Sequence, residues 1–295
     1  MKKHLSFLLA LALVTFASCN KPPQDPQHNT DVPMGAVDGL FSVSNTSQVY
    51  FSQGNLQYQA STETWRFAEN QWDYIGADNR KISSSYTGWI DLFGWGTSGY
   101  DHGSNAYQPW STSTISADYY AYGAPLNSLS SQTGTADWGY NGIFNGGNEE
   151  NQWYTLSRDE WAFVFNKRDT GSGMRYAKAV LNGVNGVILL PDEWKSETYL
   201  LNHTDLSDAA FNSNVISASQ WEEVLEPAGA VFLPAAGYRD GSAIGSVNAY
   251  GYYWSSSVSN DNLACLIGFD DAYLFLGSGS NRYFGRSVRL VHRNE

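Results

Sequence analysis

Two helix starts, and no others, can be read between Leu40 and the C-terminus, and that scarcity narrows the possible folds more than any other feature. Ser157-Arg158-Asp159-Glu160 has the capping-box pattern, in which serine and glutamate each satisfy the other's backbone N–H. Trp161, Val164 and Phe165 follow at helical spacing. Ser219-Gln220-Trp221-Glu222 repeats the signature, with Pro227 and Gly229 placed to close the helix. The rest reads as short strands and turns. Val49-Tyr50-Phe51 leads through Gly54 to Leu56 and Tyr58, and Trp65 and Phe67 alternate with polar neighbours, the pattern of a hairpin or meander. Tyr176 to Leu181 and Val187 to Leu190 flank a glycine-containing turn, and Ala230 to Pro234 reads as a short buried strand. Further strands are expected at Tyr252 to Ser256, Leu263 to Phe269, Tyr273 to Leu276 and Ser287 to Val291. The expected class is α+β, with short antiparallel strands, few helices and long ordered loops.

Residues 76–147 are dominated by Gly, Ser, Tyr and Asn, with Trp89, Trp95, Trp110 and Trp138 among them. Disordered segments are poor in aromatic residues, so this stretch reads as an ordered excursion pinned by buried rings. The whole chain is 15% aromatic and only 16% charged, with 17 basic against 29 acidic residues and a formal charge of −12. That balance excludes a binder of nucleic-acid backbones, which needs a basic stripe. No internal repeat is visible, and no linker follows Pro33. One domain, 39–295, is therefore expected.

The N-terminus carries an address. Lys2 and Lys3 precede an apolar run from Leu5 to Phe16 that is too short to span a bilayer as a mature helix. It ends in Phe16-Ala17-Ser18-Cys19, which resembles the lipobox of bacterial lipoproteins. The resemblance implies a leader at 1–18 and lipidation of Cys19; the alternative is ordinary secretion with a spare thiol. More than one acyl chain holds a protein on a membrane without a spanning helix. Residues 19–38, with Pro22, Pro23, Pro26 and Pro33, read as a tether. Asn20 is not the aspartate that would retain the protein at an inner membrane. The expected location is the outer membrane, lipid-anchored at the cell surface.

Catalytic constellations are not legible. Beyond Cys19 the one cysteine is Cys265, in an apolar strand, where a small buried hydrophobe is the ordinary reading. His102, His203 and His292 are far apart and lack metal-ligand spacing. Asp159/Glu160, Glu222/Glu223 and Asp270/Asp271 are adjacent pairs, whose side chains point apart, and the first two stand in the first turns of helices. The glycine-rich strings Gly96-Thr97-Ser98-Gly99 and Gly277-Ser278-Gly279 have neither nucleophile-elbow nor phosphate-loop spacing. No catalytic residue, metal or cofactor is expected.

The informative stretch is Val258 to Phe284. Strand alternation puts Leu274 and Leu276 on one face and Tyr273 and Phe275 on the other. With the leucines in the core, the aromatic pair faces out. A mobile polar loop is expected at 277–281, and Tyr283 and Phe284 add two further rings. Tyr and Phe mixed with Ser, Gly, Asn and Asp is the chemistry of an antibody paratope, where rigid rings supply contact area and small polar groups adapt.

The order of motifs carries a second resemblance. Trp153-Tyr154-Thr155-Leu156-Ser157 leads into the first helix, and Gly186 to Asp192 and Leu233-Pro234-Ala235-Ala236-Gly237-Tyr238-Arg239 follow. Gly251-Tyr252-Tyr253-Trp254-Ser255-Ser256-Ser257 and Gly285-Arg286-Ser287-Val288-Arg289-Leu290-Val291 close the chain. This resembles the Bacteroidetes and Fibrobacter surface-protein family with a C-type lectin-like fold of the formylglycine-generating-enzyme type. Some members are variable proteins of diversity-generating retroelements. The resemblance implies a buried scaffold of Trp254, Ala264, Ile267, Phe269, Leu274, Arg282, Gly285 and residues 287–291. Its ligand-binding positions would include Ser259, Asn260, Asp261, Asn262, Leu266, Gly268, Asp270, Asp271, Tyr273, Phe275, Ser280, Tyr283 and Phe284. The paired copper-binding cysteines of the enzymes of this fold type are missing. Glu226-Pro227-Ala228 and Ser259-Asn260-Asp261 do not supply a lectin calcium site. The function implied is a receptor- or adhesin-like surface protein binding a protein or glycan on another cell or phage surface, with membrane contact through its anchor alone and no nucleic acid. The alternatives are an oxidase or hydrolase of the formylglycine-generating-enzyme type, or a structural component of a surface assembly.

Overall fold

Strand structure begins earlier than the proline-rich segment predicts. Ala36–Ser42 forms strand β1, with Val37 and Phe41 buried and the Pro33 carbonyl already accepting the Ala36 N–H. The boundary expected at residue 39 therefore moves toward the N-terminus, because two apolar side chains of that segment have a core to enter. The computed structural model describes residues 32–100, 107–123, 128–129 and 134–294. The expected leader 1–18 and lipidated Cys19 lie outside them.

β1 pairs antiparallel with β2 (Gln48–Ser52), and β3 (Leu56–Gln59) with β4 (Thr64–Phe67). The excursion follows, with only short 3-10 turns among its described residues, and returns at β5 (Tyr154–Thr155). Trp95 and Trp138 within it are fully buried, as are Tyr119 and, nearly so, Tyr120. Helix α1 (Arg158–Asn166) starts at the expected capping box, with Ser157 accepting from the Glu160 N–H and Glu160 accepting from the Ser157 N–H. β6 (Tyr176–Leu181) and β7 (Val184–Leu189) form the expected hairpin. β8 (Val215–Ile216) and β9 (Val231–Pro234) extend it to a four-stranded sheet, β8-β6-β7-β9. Between those two strands the second helix starts two residues before the expected serine. Ser217 is its cap and Gln220 its reciprocal partner, so α2 is Ala218–Gln220 and runs into a five-residue π-turn, Trp221–Leu225. Glutamine serves this box as well as glutamate, and the wider turn buries both Trp221 and Leu225.

β10 (Tyr238–Asp240) and β11 (Ala243–Gly245) form a small hairpin. β12 (Gly251–Val258), β13 (Leu263–Phe269) and β14 (Leu274–Asn281) form a three-stranded antiparallel sheet. Residues 277–281, expected as a mobile loop, are strand. The strand continues through a bulge at Gly277, whose φ of +85° favours glycine and where a Cβ would lie 2.7 Å from Arg158 Cδ. β15 (Leu290–Arg293) inserts between β2 and β5, joining the two ends of the folded unit in one sheet, β1-β2-β15-β5. It begins later than expected. Ser287 is bonded to β12 instead, donating to the Tyr252 carbonyl and accepting from the Trp254 N–H. Small, mostly antiparallel sheets and few helices thus make up the architecture.

Alternation along these strands feeds separate cores. In the three-stranded sheet, Tyr253, Ile267 and Phe269 enter one cluster with Phe51 and Trp161, and Trp254 and Leu266 enter a second with Trp95 and Trp138. In the other large sheet, Val187 and Leu189 face the first cluster, and Ile188 and Phe232 face a third with Trp221.

Long loops leave backbone carbonyls without regular partners, and buried arginines supply the donors. Arg239 donates to the Leu92 and Gly241 carbonyls, Arg282 to those of Tyr120 and Asn260, and Arg289 to Phe232 O and Gln71 Oε1. A guanidinium carries five N–H groups in a fixed plane, which suits this bridging. Burial pushes Arg239 and Arg289 down to about 10, so both remain protonated at neutral pH.

Two buried carboxylates have only neutral donors. Asp137 accepts from the Thr155 N–H and hydroxyl and from the Gly139 N–H. Asp91 accepts from the Ile75 N–H and from Asn79 Nδ2 at 2.6 Å, and burial pushes it up to about 6. A carboxyl raised in the folded state binds its proton more tightly there than in the unfolded chain. Its stabilising effect is complete below about pH 4 and is lost as pH rises through about 6, a change on the order of 2–3 kcal/mol. Urea midpoints should therefore fall between pH 4.5 and 7.5, and Asp91→Asn should flatten the slope. An equally steep slope in the variant would assign the dependence to other groups.

Candidate functional site

The face of the three-stranded sheet that carries Phe275 is built on a missing side chain. Tyr252, Gly268 and Phe275 lie in one cross-strand row. A Cβ on Gly268 would come within 2.2 Å of the Phe275 ring, so glycine is what lets that ring lie flat across the sheet. Phe275 packs on Tyr252 with ring centroids 6.1 Å apart, and Tyr250 stacks on Tyr252 at 5.7 Å. Tyr238, from β10, stands edge-on to both Tyr252 and Phe284, and Tyr283 packs on Phe284 at 4.7 Å. All six rings are half-buried and keep part of their surface in solvent.

Arg286 sits among them. Its guanidinium carbon lies 4.1 Å from the Tyr252 centroid, 4.8 Å from Phe284 and 5.1 Å from Tyr238. The residue is 7% exposed, and burial pushes it down to about 10. Nη2 donates to Ser280 Oγ at 3.3 Å, and Nε and Nη1 have no acceptor among the described residues. Three aromatic faces take the place of the missing carboxylate, because their negative quadrupoles stabilise a cation. The arginine in turn fixes the rings, giving a rigid surface of amphipathic side chains with little entropy left to lose on binding.

The structure divides the residues predicted for ligand contact. Phe275, Ser280, Tyr283 and Phe284 belong to this cluster. The Gly277 bulge brings Ser280 there by changing the register, so that Ser278 and Ser280 share the face of Phe275. Leu266 is a correction: it is 2% exposed, inside the second core against Trp254, and has no surface for a ligand. Gly268 is another, being buried beneath Phe275. Tyr273 is 68% exposed at the β13–β14 turn. Asp270 caps that turn by accepting the Ala272 and Tyr273 N–H groups, and Asp271 accepts from the Phe211 N–H. Ser259, Asn260, Asp261 and Asn262 form the exposed turn at the other end of β13. The Asn260 side chain orders that turn, and the Asp261 carbonyl accepts the Gly123 N–H. A seven-residue strand at about 3.3 Å per residue puts roughly 20 Å between the two turns, beyond the reach of one small ligand. Tyr238, Tyr250, Tyr252 and Arg286 were not anticipated. Tyr250 and Tyr252 do carry a signal, since residues two apart on a strand share a face.

Cys265 is 1% exposed, and burial pushes its thiol up, the opposite of an activated thiolate. Among the described residues no group of three His, Cys, Asp or Glu side chains converges to hold a metal ion. No helix among them is long and apolar enough to cross a membrane. No family model, curated protein or solved structure matches the chain.

Proposed function

We propose that the chain is a lipid-anchored surface protein that binds a protein or glycan through the aromatic face around Arg286. The scaffold we assign to it is the C-type lectin-like fold of the formylglycine-generating-enzyme type, and retroelement-driven variation of the C-terminal segment is the more specific form of the same reading. One observation carries the binding role. Six half-buried rings gather beside one face of the three-stranded sheet, and three of them pack directly on a buried guanidinium. An aromatic residue needed only for the core has no reason to keep part of its surface in water beside five others. Rigid aromatic anchors are the groups that dominate binding energy at interfaces.

The test uses a glycan array and a panel of whole bacterial cells, probed with the purified chain. Phe275→Ala combined with Phe284→Ala should weaken any saturable binding by at least about tenfold. Phe144→Ala, which removes a ring that is 69% exposed elsewhere, should leave it unchanged. Equal loss in both variants, or none in the first, would remove this face from recognition.

A further inference from the structure

A cleft of about 550 Å³ shares no lining residue with the aromatic face. That volume falls within the roughly 300–1,000 Å³ usual for small-ligand sites. Tyr58 and Trp65 line it from directly opposed positions on β3 and β4, with ring centroids 4.5 Å apart. Each residue is only 6% exposed, and the Tyr58 hydroxyl and Trp65 indole N–H, which make no hydrogen bond among the described residues, keep contact with solvent in the cleft. Asn141 lines the cleft too. Its Nδ2 is committed to the Ser98 and Trp138 carbonyls, and its Oδ1 has no partner among the described residues. These two donors and one acceptor open onto the cleft, where a ligand with hydroxyls can bond them. The half-buried rings of Trp110 and Tyr140 complete it with flat apolar surface. A second hollow of about 370 Å³ shares Ser84 and Trp110 with the first and extends the site.

We propose that this cleft binds a neutral saccharide, as pyranose units of an oligosaccharide chain. A pyranose has hydroxyls that both donate and accept, and polarised C–H faces that lie against the negative faces of aromatic rings. Other ligand classes leave part of the site unmatched. Among the described residues no Lys, Arg or His lines either hollow, and Glu63 lines the first, so they offer an anion such as phosphate no counter-charge. A quaternary ammonium suits the rings and Glu63, but offers no acceptor to the Tyr58 and Trp65 donors. Burial and the Glu63 carboxylate push the Tyr58 hydroxyl up to about 12, so it stays a donor across the physiological range. The inference is independent of the aromatic face around Arg286.

Hexasaccharides of glucose, galactose, mannose, xylose and N-acetylglucosamine, each titrated into the purified full chain, would be followed by tryptophan fluorescence. At least one should give a saturable change. Tyr58→Phe keeps the ring packed on Trp65 and removes only the hydroxyl, and should weaken that binding by about tenfold. Trp110→Ala should weaken it by at least as much, and Leu200→Ala, at an exposed side chain that lines neither hollow, should leave it unchanged. Tetramethylammonium and inorganic phosphate should give no saturable change. The proposal is overturned if no hexasaccharide saturates up to about 10 mM. It is equally overturned if affinity is unaltered in both cleft variants, or if tetramethylammonium binds and Tyr58→Phe or Trp110→Ala abolishes that binding.

Discussion

Trp254→Ala should lower the unfolding free energy by about 3–5 kcal/mol. Trp254 is fully buried in the second core, and its Nε1 donates to the Phe93 carbonyl at 2.7 Å. The connection is reciprocal, since Trp95 Nε1 donates to the Ser255 carbonyl at 2.9 Å. Two indoles thus lace the excursion to β12, each from one partner into the backbone of the other. The same segment is bonded on its other side, where the Phe93 and Trp95 N–H groups donate to the Arg286 and Arg282 carbonyls. Alanine would leave a cavity of most of an indole and remove one of two hydrogen bonds on the Phe93 carbonyl, which keeps that from the Arg286 N–H, and the cavity cannot be relaxed away where the backbone is held on both sides. Trp254→Phe keeps much of the volume and drops the hydrogen bond, so it should cost less, about 1–2 kcal/mol. Urea melts followed by circular dichroism measure both. A cost below about 1 kcal/mol for the alanine variant would show that the excursion does not depend on this indole.

How much of this could be read beforehand divides by the range of the interactions. The α1 capping box was legible because its partners are three residues apart and their chemistry is reciprocal. The second box was read at Ser219 although Ser217 caps the helix, because serines two apart present the same local pattern. The β6–β7 hairpin was legible from alternation and a turn glycine. The buried arginines were not, because Arg282 and Arg239 bond carbonyls 162 and 147 residues away. At the candidate site alternation did separate Leu274 and Leu276, which pack on the first core, from Phe275 on the opposite face, although Tyr273 lies in the turn before the strand. What alternation could not say is that this face is covered along part of its length. The excursion, through Trp95 and its neighbours, buries the Leu266 end and leaves the Phe275 end partly open. Tyr238 and Arg286 reach the site from other segments, and no pattern along β12–β14 announces them.

Arg168→Ala is expected to cost about 3–5 kcal/mol, the range for removing one member of a buried ion pair. Arg168 is 1% exposed, just beyond the end of α1, and its Nη1 donates to Asp192 Oδ1 at 3.0 Å. Nε reaches back to the Val164 carbonyl and Nη2 crosses to the Arg175 carbonyl ahead of β6. Asp192 in turn accepts from the Ser42 N–H and hydroxyl and from Gln48 Nε2, at the β1–β2 hairpin. One guanidinium and one carboxylate therefore tie the end of α1, the start of β6 and the first hairpin together. Burial pushes Arg168 down to about 10, which leaves it protonated near neutral pH, so the pair is ionic where the protein is assayed. Salt should barely change the effect, because a buried pair is poorly screened. Lys81→Ala provides the contrast: its partner Asp78 lies at 2.7 Å, but both side chains are more than half exposed, and solvent screening leaves such a pair little effect on stability. A double-mutant cycle with Asp192→Asn separates the pair from the carbonyl bonds of Arg168. If the coupling energy is near zero and the single variant still costs several kcal/mol, the carbonyl bonds of Arg168, and not the ion pair, hold these elements together.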